Sequence, residues 1–354
     1  MSKQIKLRMP SYYKQFQCTA DKCSDNCCIG WEIDIDSKTY EYYKSIKGEF
    51  GDRLKSCISD ISVPHFILNN KERCPFLNES NLCDIYINLG ENNLCGICTE
   101  HPRYYEWYNG LKEGGVGLCC ESAAKLIVSQ QENFSYYEIS VNPESCDEYD
   151  QGNFEFLFKI RENILEYIHG ELPLYIKIND ILIYAEKMQN NYDNFSFETA
   201  SIEESENISV KTDIVNILKS FASLELLSEN NLFEKAALFF ENNREEIFIN
   251  KSMHKAFENI FIYFVWRHFL KSVYEEEFYS KIAFAALSTA VVALLCFSEE
   301  KNFSEEILIK NAVYYSKEIE YNESNLNRVF DSFYENDEFS LSKISSLFKF
   351  FQKI

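Results

Sequence analysis

Residues 16–36 read FQCTADKCSDNCCIGWEIDID, and the four cysteines of this stretch determine how the chain is interpreted. Their spacing is Cys18-x4-Cys23-x3-Cys27-Cys28, so one short irregular segment brings several thiols together. The later cysteines of the same region are Cys57, Cys74, Cys83, Cys95, Cys98, Cys119 and Cys120. Eleven of the 13 cysteines thus lie between positions 18 and 120. Thiolates are ligands for zinc and for iron–sulfur clusters, and this concentration predicts a metal site built from several loops.

Two simpler explanations of the cysteines are disfavoured. A disulfide framework is unexpected because the count is odd, the chain is large and its charged first residues do not resemble an export signal. Packing alone would scatter cysteines through the rest of the chain, yet only Cys146 and Cys296 follow position 120. His65 and His101 are not at finger-like spacing from a cysteine pair. The surplus of thiols favours an iron–sulfur cluster, with zinc as the alternative.

Composition and charge limit the remaining possibilities. The 354 residues are 46% hydrophobic, which predicts a folded protein of about two domains. The net charge of −21 argues against a nucleic-acid partner, because phosphate binding requires concentrated positive charge. We expect a cytoplasmic protein. The uncharged run Ile282–Phe297 is too short for a membrane span of about 20 residues, and it predicts a buried core helix.

The second part of the chain has helical periodicity. Apolar residues recur on one face of 154–168, broken only at Arg161, and again in 214–224 and 257–264. The polar stretches 189–193, 203–207 and 228–231 are typical of loops. The predicted fold class is therefore mainly α. A cysteine-rich metal or iron–sulfur module with short strands and turns is expected over residues 1–148, followed by an α-helical domain over residues 149–354.

The order of several motifs resembles that of a known family. These motifs are Met9-Pro10-Ser11-Tyr12-Tyr13, Phe16-x-Cys18-x4-Cys23-x3-Cys27-Cys28-x-Gly30-Trp31, Cys74-Pro75-Phe76-Leu77, Leu82-Cys83-x-Ile85-Tyr86, Leu89-Gly90-Glu91 and Cys98-x3-Pro102-Arg103. Over residues 8–126 they resemble the flagellin lysine-N-methylase family of bacteria. Parts of the same region are similar to a wider group of zinc- or iron-chelating domains, and a shared metal module does not by itself define a substrate.

The resemblance implies an enzyme that moves a methyl group from S-adenosylmethionine to lysine ε-amines of flagellin and contains a [4Fe–4S] cluster. The cysteines that match the family, and are therefore the implied metal ligands, are Cys18, Cys23, Cys27, Cys28, Cys74, Cys83, Cys98 and Cys120. Either member of the pair Cys119-Cys120 fits the last position. The alternative is a non-catalytic zinc- or iron-chelating or redox-sensing module whose helices hold a partner protein.

Methyl transfer to lysine requires a neutral amine, so a carboxylate or tyrosine near the acceptor is expected. Asp34, Asp36, Tyr104 and Tyr105 are candidates, although alternating Ile-Asp-Ile-Asp is typical of a half-buried strand and tyrosines usually pack. No glycine-rich nucleotide cradle is recognisable, and Gly114–Gly117 predicts a turn. The sequence assigns neither the catalytic residues nor those that bind the methyl donor.

Overall fold

The computed structural model describes residues 4–348, except for 24–25, 31–32, 62, 109, 143–147, 206–212 and 244–250. Trp31 of the quoted motif and Cys146 lie outside these described residues. The described part of the chain is mainly helical, with short strands confined to the first 141 residues, as the sequence predicts. The proposed division between residues 148 and 149 follows directly after one of the gaps, and it stays a prediction.

One four-stranded sheet organises the N-terminal part. Its strands are β1 (Ile5–Pro10), β4 (Arg103–Tyr108), β5 (Leu111–Val116) and β6 (Tyr136–Val141), in the order β4-β5-β1-β6. β1 pairs parallel with β5 and antiparallel with β6, whereas β4 and β5 form a hairpin. A separate two-stranded ribbon consists of β2 (Ile58–Ser59) and β3 (His65–Phe66).

Short helices surround the cysteine segments. They are α1 (Ser37–Ser45), α2 (Glu49–Ser56), α3 (Asp84–Leu89), α4 (Gly96–Glu100) and α5 (Glu121–Val128). The first four enclose a small core of their own, made of Ile33, Ile35, Tyr43, Leu54, Phe66, Cys74, Phe76, Leu77, Ile85 and Cys95. Because two members of this core are cysteines and four more pack against it, thiols replace part of the apolar packing here.

Nine helices, most of them longer, form the described second part of the chain. They are α6 (Gln151–Ile168), α7 (Leu174–Asp193), α8 (Ile214–Ala222), α9 (Leu232–Asn242), α10 (Lys251–His268), α11 (Tyr279–Glu299), α12 (Glu305–Tyr315), α13 (Glu323–Glu335) and α14 (Leu341–Leu347), all within the described residues. A π-helical segment, Ser316–Glu320, continues α12. The three predicted amphipathic stretches correspond to α6, α8 and α10.

The main core unites the helices with the sheet. Leu111, Val116 and Leu118 belong to the same buried cluster as the side chains of α6, α10 and α11. Among the described residues one helix, α11, is long and apolar enough to cross a membrane, but 89% of its most apolar window is buried in the protein. The prediction of a buried core helix over Ile282–Phe297 is therefore confirmed.

Two local predictions are wrong. Residues 189–193 form the last turn of α7 because Tyr192 packs on Phe156 and the Gln189 side chain accepts hydrogen bonds from the backbone of Phe278 and Tyr279. These tertiary contacts outweigh the polar composition. Residues 228–231 lie between helices, as predicted, as do 203–205, whereas 206–207 are outside the described residues.

The glycine-rich run is also not a turn, since Gly114 and Gly115 lie within β5. Their partners across the hairpin are Tyr105 and Tyr104. A Cβ atom on Gly115 would lie 2.5 Å from the Tyr104 hydroxyl, and one on Gly114 would lie 2.7 Å from the Tyr105 ring. Glycine is needed here to make room for two tyrosines on the neighbouring strand.

Candidate functional site

The first group of thiols lies where Cys18, Thr19, Cys23 and Cys27 approach the start of α5. Cys120 is the N-cap residue of α5, and the hydroxyls of Thr19 and Ser122 lie 3.2 Å apart. The Cys23 sulfur is 3.5 Å from a carboxylate oxygen of Glu121. We call Cys18, Cys23, Cys27 and Cys120 the outer thiols. Burial raises the pKa of Cys120, and the nearby thiols of Cys27 and Cys18 raise it further.

The second group lies in the small core. The backbone N–H of Cys74 donates to the carbonyl of Cys28 at 2.8 Å, which brings these two segments together. Cys83 and Cys95 are the N-cap residues of α3 and α4, and the sulfurs of Cys95 and Cys98 are 3.3 Å apart. We call Cys28, Cys74, Cys83, Cys95 and Cys98 the inner thiols.

The inner thiols influence one another's ionisation. Burial raises the pKa of Cys74 to about 11, and repulsion from Cys83 and Cys95 adds to this effect. The hydrogen bond between Cys95 and Cys98 raises the pKa of Cys98 and lowers that of Cys95. Cys95 is thus the more acidic thiol of this pair.

The structure places four of the eight predicted ligands among the outer thiols and four among the inner ones. A side-chain hydrogen bond between Cys27 and Cys28 connects the two groups. The twelve described cysteines form no disulfide with one another. Thiols that are clustered and partly buried suit the donor chemistry of zinc or of an iron–sulfur cluster. Among the described residues no group of three or more His, Cys, Asp or Glu side chains is arranged as the ligands of a single metal ion. Ligation stays a prediction.

Three cysteines of the region are outside the set of eight predicted ligands, although Cys119 was predicted as the alternative to Cys120. Cys95 lies beside Cys98, and the Cys-x2-Cys spacing was the signal that could have identified it. Cys57 is half-buried and packs against the small core. Cys119 is buried beneath the helices beside the Tyr321 hydroxyl, whereas its neighbour Cys120 lies with the outer thiols.

A buried polar network occupies the junction between the helices and the sheet. Glu320, the last residue of the π-helical segment, accepts hydrogen bonds from the Tyr263 hydroxyl, at 2.9 Å to each carboxylate oxygen, and from the Ser316 hydroxyl at 2.6 Å. The ring of His268 lies 2.8 Å from the same carboxylate, and the guanidinium of Arg267 lies 3.0 Å from it. π-helical segments occur frequently at functional sites.

This network is charged at neutral pH. Burial favours the protonated form of Glu320, but Arg267 and the hydrogen bond to His268 outweigh it and lower the pKa of Glu320 to about 2. Burial lowers the pKa of His268 to about 4 despite the attraction of Glu320. At neutral pH the network therefore contains a carboxylate, a guanidinium and a neutral imidazole.

The same network reaches the cysteine segment. The Tyr263 hydroxyl accepts hydrogen bonds from the backbone N–H of Leu118 at 3.1 Å and from Arg267 at 2.9 Å. The Arg267 guanidinium also lies over the rings of Tyr104 and Tyr321, 4.4 Å and 4.5 Å from their centres. The sequence did not reveal this arrangement, because Glu320 is more than 50 residues from Tyr263, Arg267 and His268 and no local spacing connects them.

Of the two aspartates that were candidates for a base, Asp36 has a structural role and Asp34 is exposed. Asp36 caps α1 and also accepts a hydrogen bond from Gly96; burial opposes ionisation, but these bonds lower its pKa. Asp34 is exposed between the buried Ile33 and Ile35, so the predicted alternation is correct, although residue 34 forms only an isolated bridge with His65.

The two tyrosine candidates belong to β4. The Tyr104 hydroxyl is buried, and burial raises its pKa. The ring of Tyr105 is half-buried beside Lys112, and burial together with Tyr13 raises its pKa as well. A tyrosine whose pKa is raised keeps its proton at neutral pH, so neither residue is suited to act as a base.

A cavity of about 200 Å³ lies beside the network, between the end of β1, the α5–β6 loop and α10. Tyr12 and Tyr263 contribute to its wall, so one side chain, Tyr263, belongs to both the cavity and the network. Its other lining residues are Ser11, Gln15, Ile127, Gln130, Glu132, Asn133, Phe134, Ser135, Asn259 and Ile262.

The fold and the site together define a mainly helical protein. It has a cysteine-rich N-terminal region, and a buried charged network lies where the helices meet the sheet. The family model for the FliB lysine N-methylase C-terminal domain matches residues 157–347, which is more than half of the chain. The chain belongs to this family, and the family resemblance inferred from the N-terminal motifs is confirmed.

Individual relatives agree with the family match. A lysine-N-methylase of Salmonella typhimurium is 26% identical over 153 residues, 39% of this chain and 36% of that protein, and one of Salmonella choleraesuis gives the same values. The flagellar biosynthetic protein FliU of Salmonella muenchen is 27% identical over 141 residues, 36% of this chain and 79% of that protein. The matched region thus spans about a third of the two methylases. No solved structure matches the chain.

Proposed function

We propose that this protein is a protein-lysine N-methyltransferase that transfers a methyl group from S-adenosylmethionine to lysine ε-amines of flagellin. Membership of the FliB lysine N-methylase family is the observation that carries the proposal. The names of the relatives, lysine-N-methylase and a flagellar biosynthetic protein, support the reaction and the flagellar substrate. We further propose that the enzyme acts in the cytoplasm.

The reaction requires that the amine nitrogen lie next to the methyl carbon of the donor, and that the amine first lose its proton. The amine nitrogen forms a bond to the methyl carbon while the carbon–sulfur bond of the donor breaks, and S-adenosylhomocysteine leaves. Because a lysine amine has a pKa of about 10.4, its proton must first pass to another group. The oxygens of Asp36 already accept hydrogen bonds, and Tyr104 retains its proton, so we assign the base to neither.

We propose in addition that the thiols hold a [4Fe–4S] cluster, with zinc as the alternative metal. Such a cluster takes four cysteine ligands, which the four outer thiols or four of the five inner thiols could supply. When bound, the cluster would stabilise the N-terminal fold or contact the methyl donor. One outer thiol, Cys120, is two residues from Leu118, whose backbone N–H donates to Tyr263 of the buried network.

Anaerobic purification followed by iron, sulfide and zinc analysis tests the cofactor. Cys27→Ala and Cys98→Ala each remove one thiol, from the outer and the inner group respectively, and Cys57→Ala is the matched control outside both. We expect one of the first two variants to lose most of its iron, whereas the control keeps it. Equal iron content in all three variants would contradict ligation by these thiols.

Incubation of the metal-loaded protein with S-adenosylmethionine and flagellin tests the reaction itself. We expect a mass increase corresponding to added methyl groups on flagellin lysines, located by peptide mass spectrometry. A metal-loaded protein that neither binds the methyl donor nor modifies flagellin would instead support a non-catalytic, metal-chelating or redox-sensing module.

A further inference from the structure

The cavity beside Tyr263 has the size of a side-chain site. Its volume is about 200 Å³, whereas pockets for drug-sized ligands measure roughly 300–1,000 Å³. A nucleoside-containing methyl donor is therefore too large to be enclosed here. A single extended alkylamine fits the available space better.

The lining of the cavity suits a cationic amine. Three aromatic rings, those of Tyr12, Phe134 and Tyr263, form part of its wall, and aromatic faces attract ammonium groups. Among the described residues that line it none is basic, and Glu132 provides a carboxylate at the exposed mouth. Lys255 approaches the rim through Asn133, but its ammonium is paired with Glu258 at 2.6 Å.

Polar acceptors complete this lining. The amide nitrogen of Asn259 donates to the backbone carbonyl of Gln130 at 2.9 Å, so the amide oxygen is the acceptor that this side chain offers. Gln15 and Gln130 add further amide groups. A lysine ammonium has three donors and no acceptor, and a site rich in carbonyl oxygens satisfies it.

The position of the cavity allows access from a protein substrate. Phe134 and Ser135 of its lining directly precede β6, which is an edge strand of the sheet. In the described sheet β6 pairs with β1 alone, so its other edge has backbone groups available to an extended peptide. A peptide paired along this edge would run past Ser135, which is part of the cavity lining.

We propose that this cavity receives the side chain of the lysine that is to be methylated. The inference rests on the proposed methyltransferase function for the identity of the ligand, a primary alkylamine on a protein chain. Tyr263 then connects the amine site to Glu320 and to the segment that contains Cys119 and Cys120.

Direct binding of an amine tests the site without any methyl donor. The probe is N-α-acetyl-lysine amide, and its binding is followed by NMR of the probe with the full chain. Ser135→Trp places an indole at the mouth, and Ser140→Trp, on the exposed part of β6, is its matched control. Glu132→Lys reverses the charge at the mouth, and Glu171→Lys makes the same change at an exposed position that does not line the cavity.

We expect Ser135→Trp and Glu132→Lys to weaken probe binding about tenfold or more, and both controls to bind as the unmodified chain does. Equal binding by all four variants would overturn the proposal. Far-ultraviolet circular dichroism of each variant establishes that its fold is retained, and the smaller change Glu132→Gln, with an expected intermediate loss, replaces any variant that does not fold.

Kinetics separate this proposal from the proposed function. In a chain that methylates flagellin, Ser135→Trp and Glu132→Lys should raise the KM for flagellin about tenfold and leave the KM for S-adenosylmethionine unchanged. If methylation occurs but both KM values stay unaltered, the cavity assignment is wrong and the function stands. If the unmodified chain binds the probe, the two variants do not bind it, and no chain methylates flagellin, then the amine site is supported and the proposed function is wrong.

Discussion

At the scale of single residues, the Arg161 side chain shows how a sequence irregularity marks a buried contact. Arg161 interrupts the apolar face of α6, is fully buried, and donates to both carboxylate oxygens of Glu113 at 2.6 and 2.7 Å. Glu113→Gln would remove this counter-charge and leave the buried guanidinium 4.0 Å from the partly exposed Glu162. We expect the free energy of unfolding to fall by about 3–5 kcal/mol, measured by urea denaturation.

Lys310→Ala is the control for this prediction. The Lys310–Glu299 pair has a similar distance, 2.6 Å, but its lysine side chain is 59% exposed. Removing such a pair should change the free energy of unfolding by less than about 1 kcal/mol. Comparable losses in the two variants would show that burial does not govern the strength of these pairs.

A second prediction for a single residue concerns the loss of stability in acid. The pKa of Glu320 is lowered from its ordinary 4.5 to about 2, because Arg267 and His268 outweigh the effect of burial. Its contribution to stability is therefore complete above about pH 4.5 and is lost as the pH falls towards 2. We expect the difference in unfolding free energy between the unmodified chain and Glu320→Gln to shrink over this interval.

Glu171→Gln serves as the reference for that experiment, because Glu171 is exposed. Each variant keeps all the other carboxylates of the unmodified chain, so their effect on stability cancels when the two unfolding free energies are subtracted. Its difference from the unmodified chain should stay close to zero at each pH. A difference for Glu320→Gln that is constant from pH 6 to pH 2 would mean that Glu320 is not ionised preferentially in the folded state.

At the scale of elements, the β4–β5 hairpin depends on small residues opposite large ones. Gly115→Ala would place a Cβ atom 2.5 Å from the Tyr104 hydroxyl, and that ring is held beneath Arg267. We expect a loss of about 1–3 kcal/mol in the free energy of unfolding, seen as a lower melting temperature.

The source of this loss can be tested by a second change. Adding Tyr104→Phe removes the hydroxyl that clashes, so the double variant should recover part of the stability lost by Gly115→Ala. Gly96→Ala is the control, because its Cβ atom would meet Asp36 at an ordinary 3.6 Å. No recovery in the double variant would place the strain elsewhere in the hairpin.

Elements with a continuous apolar stripe could be predicted from the sequence, and those fixed by distant partners could not. The stripes of α6, α8 and α10 and the uncharged run in α11 each specify a buried face without reference to the rest of the chain. The last turn of α7 depends instead on the contact of Tyr192 with Phe156. In the sheet, β1 pairs with β5, which follows it by about 100 residues, and no local sequence pattern predicts that pairing.

The candidate site follows the same rule. Clustered cysteines are recognisable by composition, so the thiol-rich region was predicted, but its division into two groups depends on which loops meet. The buried network was missed because Glu320, Tyr263 and Leu118 come from three distant parts of the chain. The sequence signal that could have indicated this network is a charged residue at the end of an apolar helix.

At the scale of the whole molecule, the sheet and α5 complete the core of the helical part. Ala124, Ile127 and Val128 of α5 are buried, and α5 packs against α10 and α12. Leu118 is likewise buried in the main core. The two predicted parts of the chain therefore share the main core, and the helices alone would expose the surface that α5 covers.

This shared core predicts the behaviour of the separated parts. A fragment of residues 149–354 should retain helical circular dichroism but bind a hydrophobic dye and unfold without a sharp thermal transition, since it lacks the packing supplied by the sheet and α5. Co-expression with a fragment of residues 1–148 should restore cooperative unfolding and abolish most of the dye binding. If residues 149–354 alone unfold as sharply as the full chain and bind no dye, the helical part is an independent domain, and its contacts with α5 are dispensable.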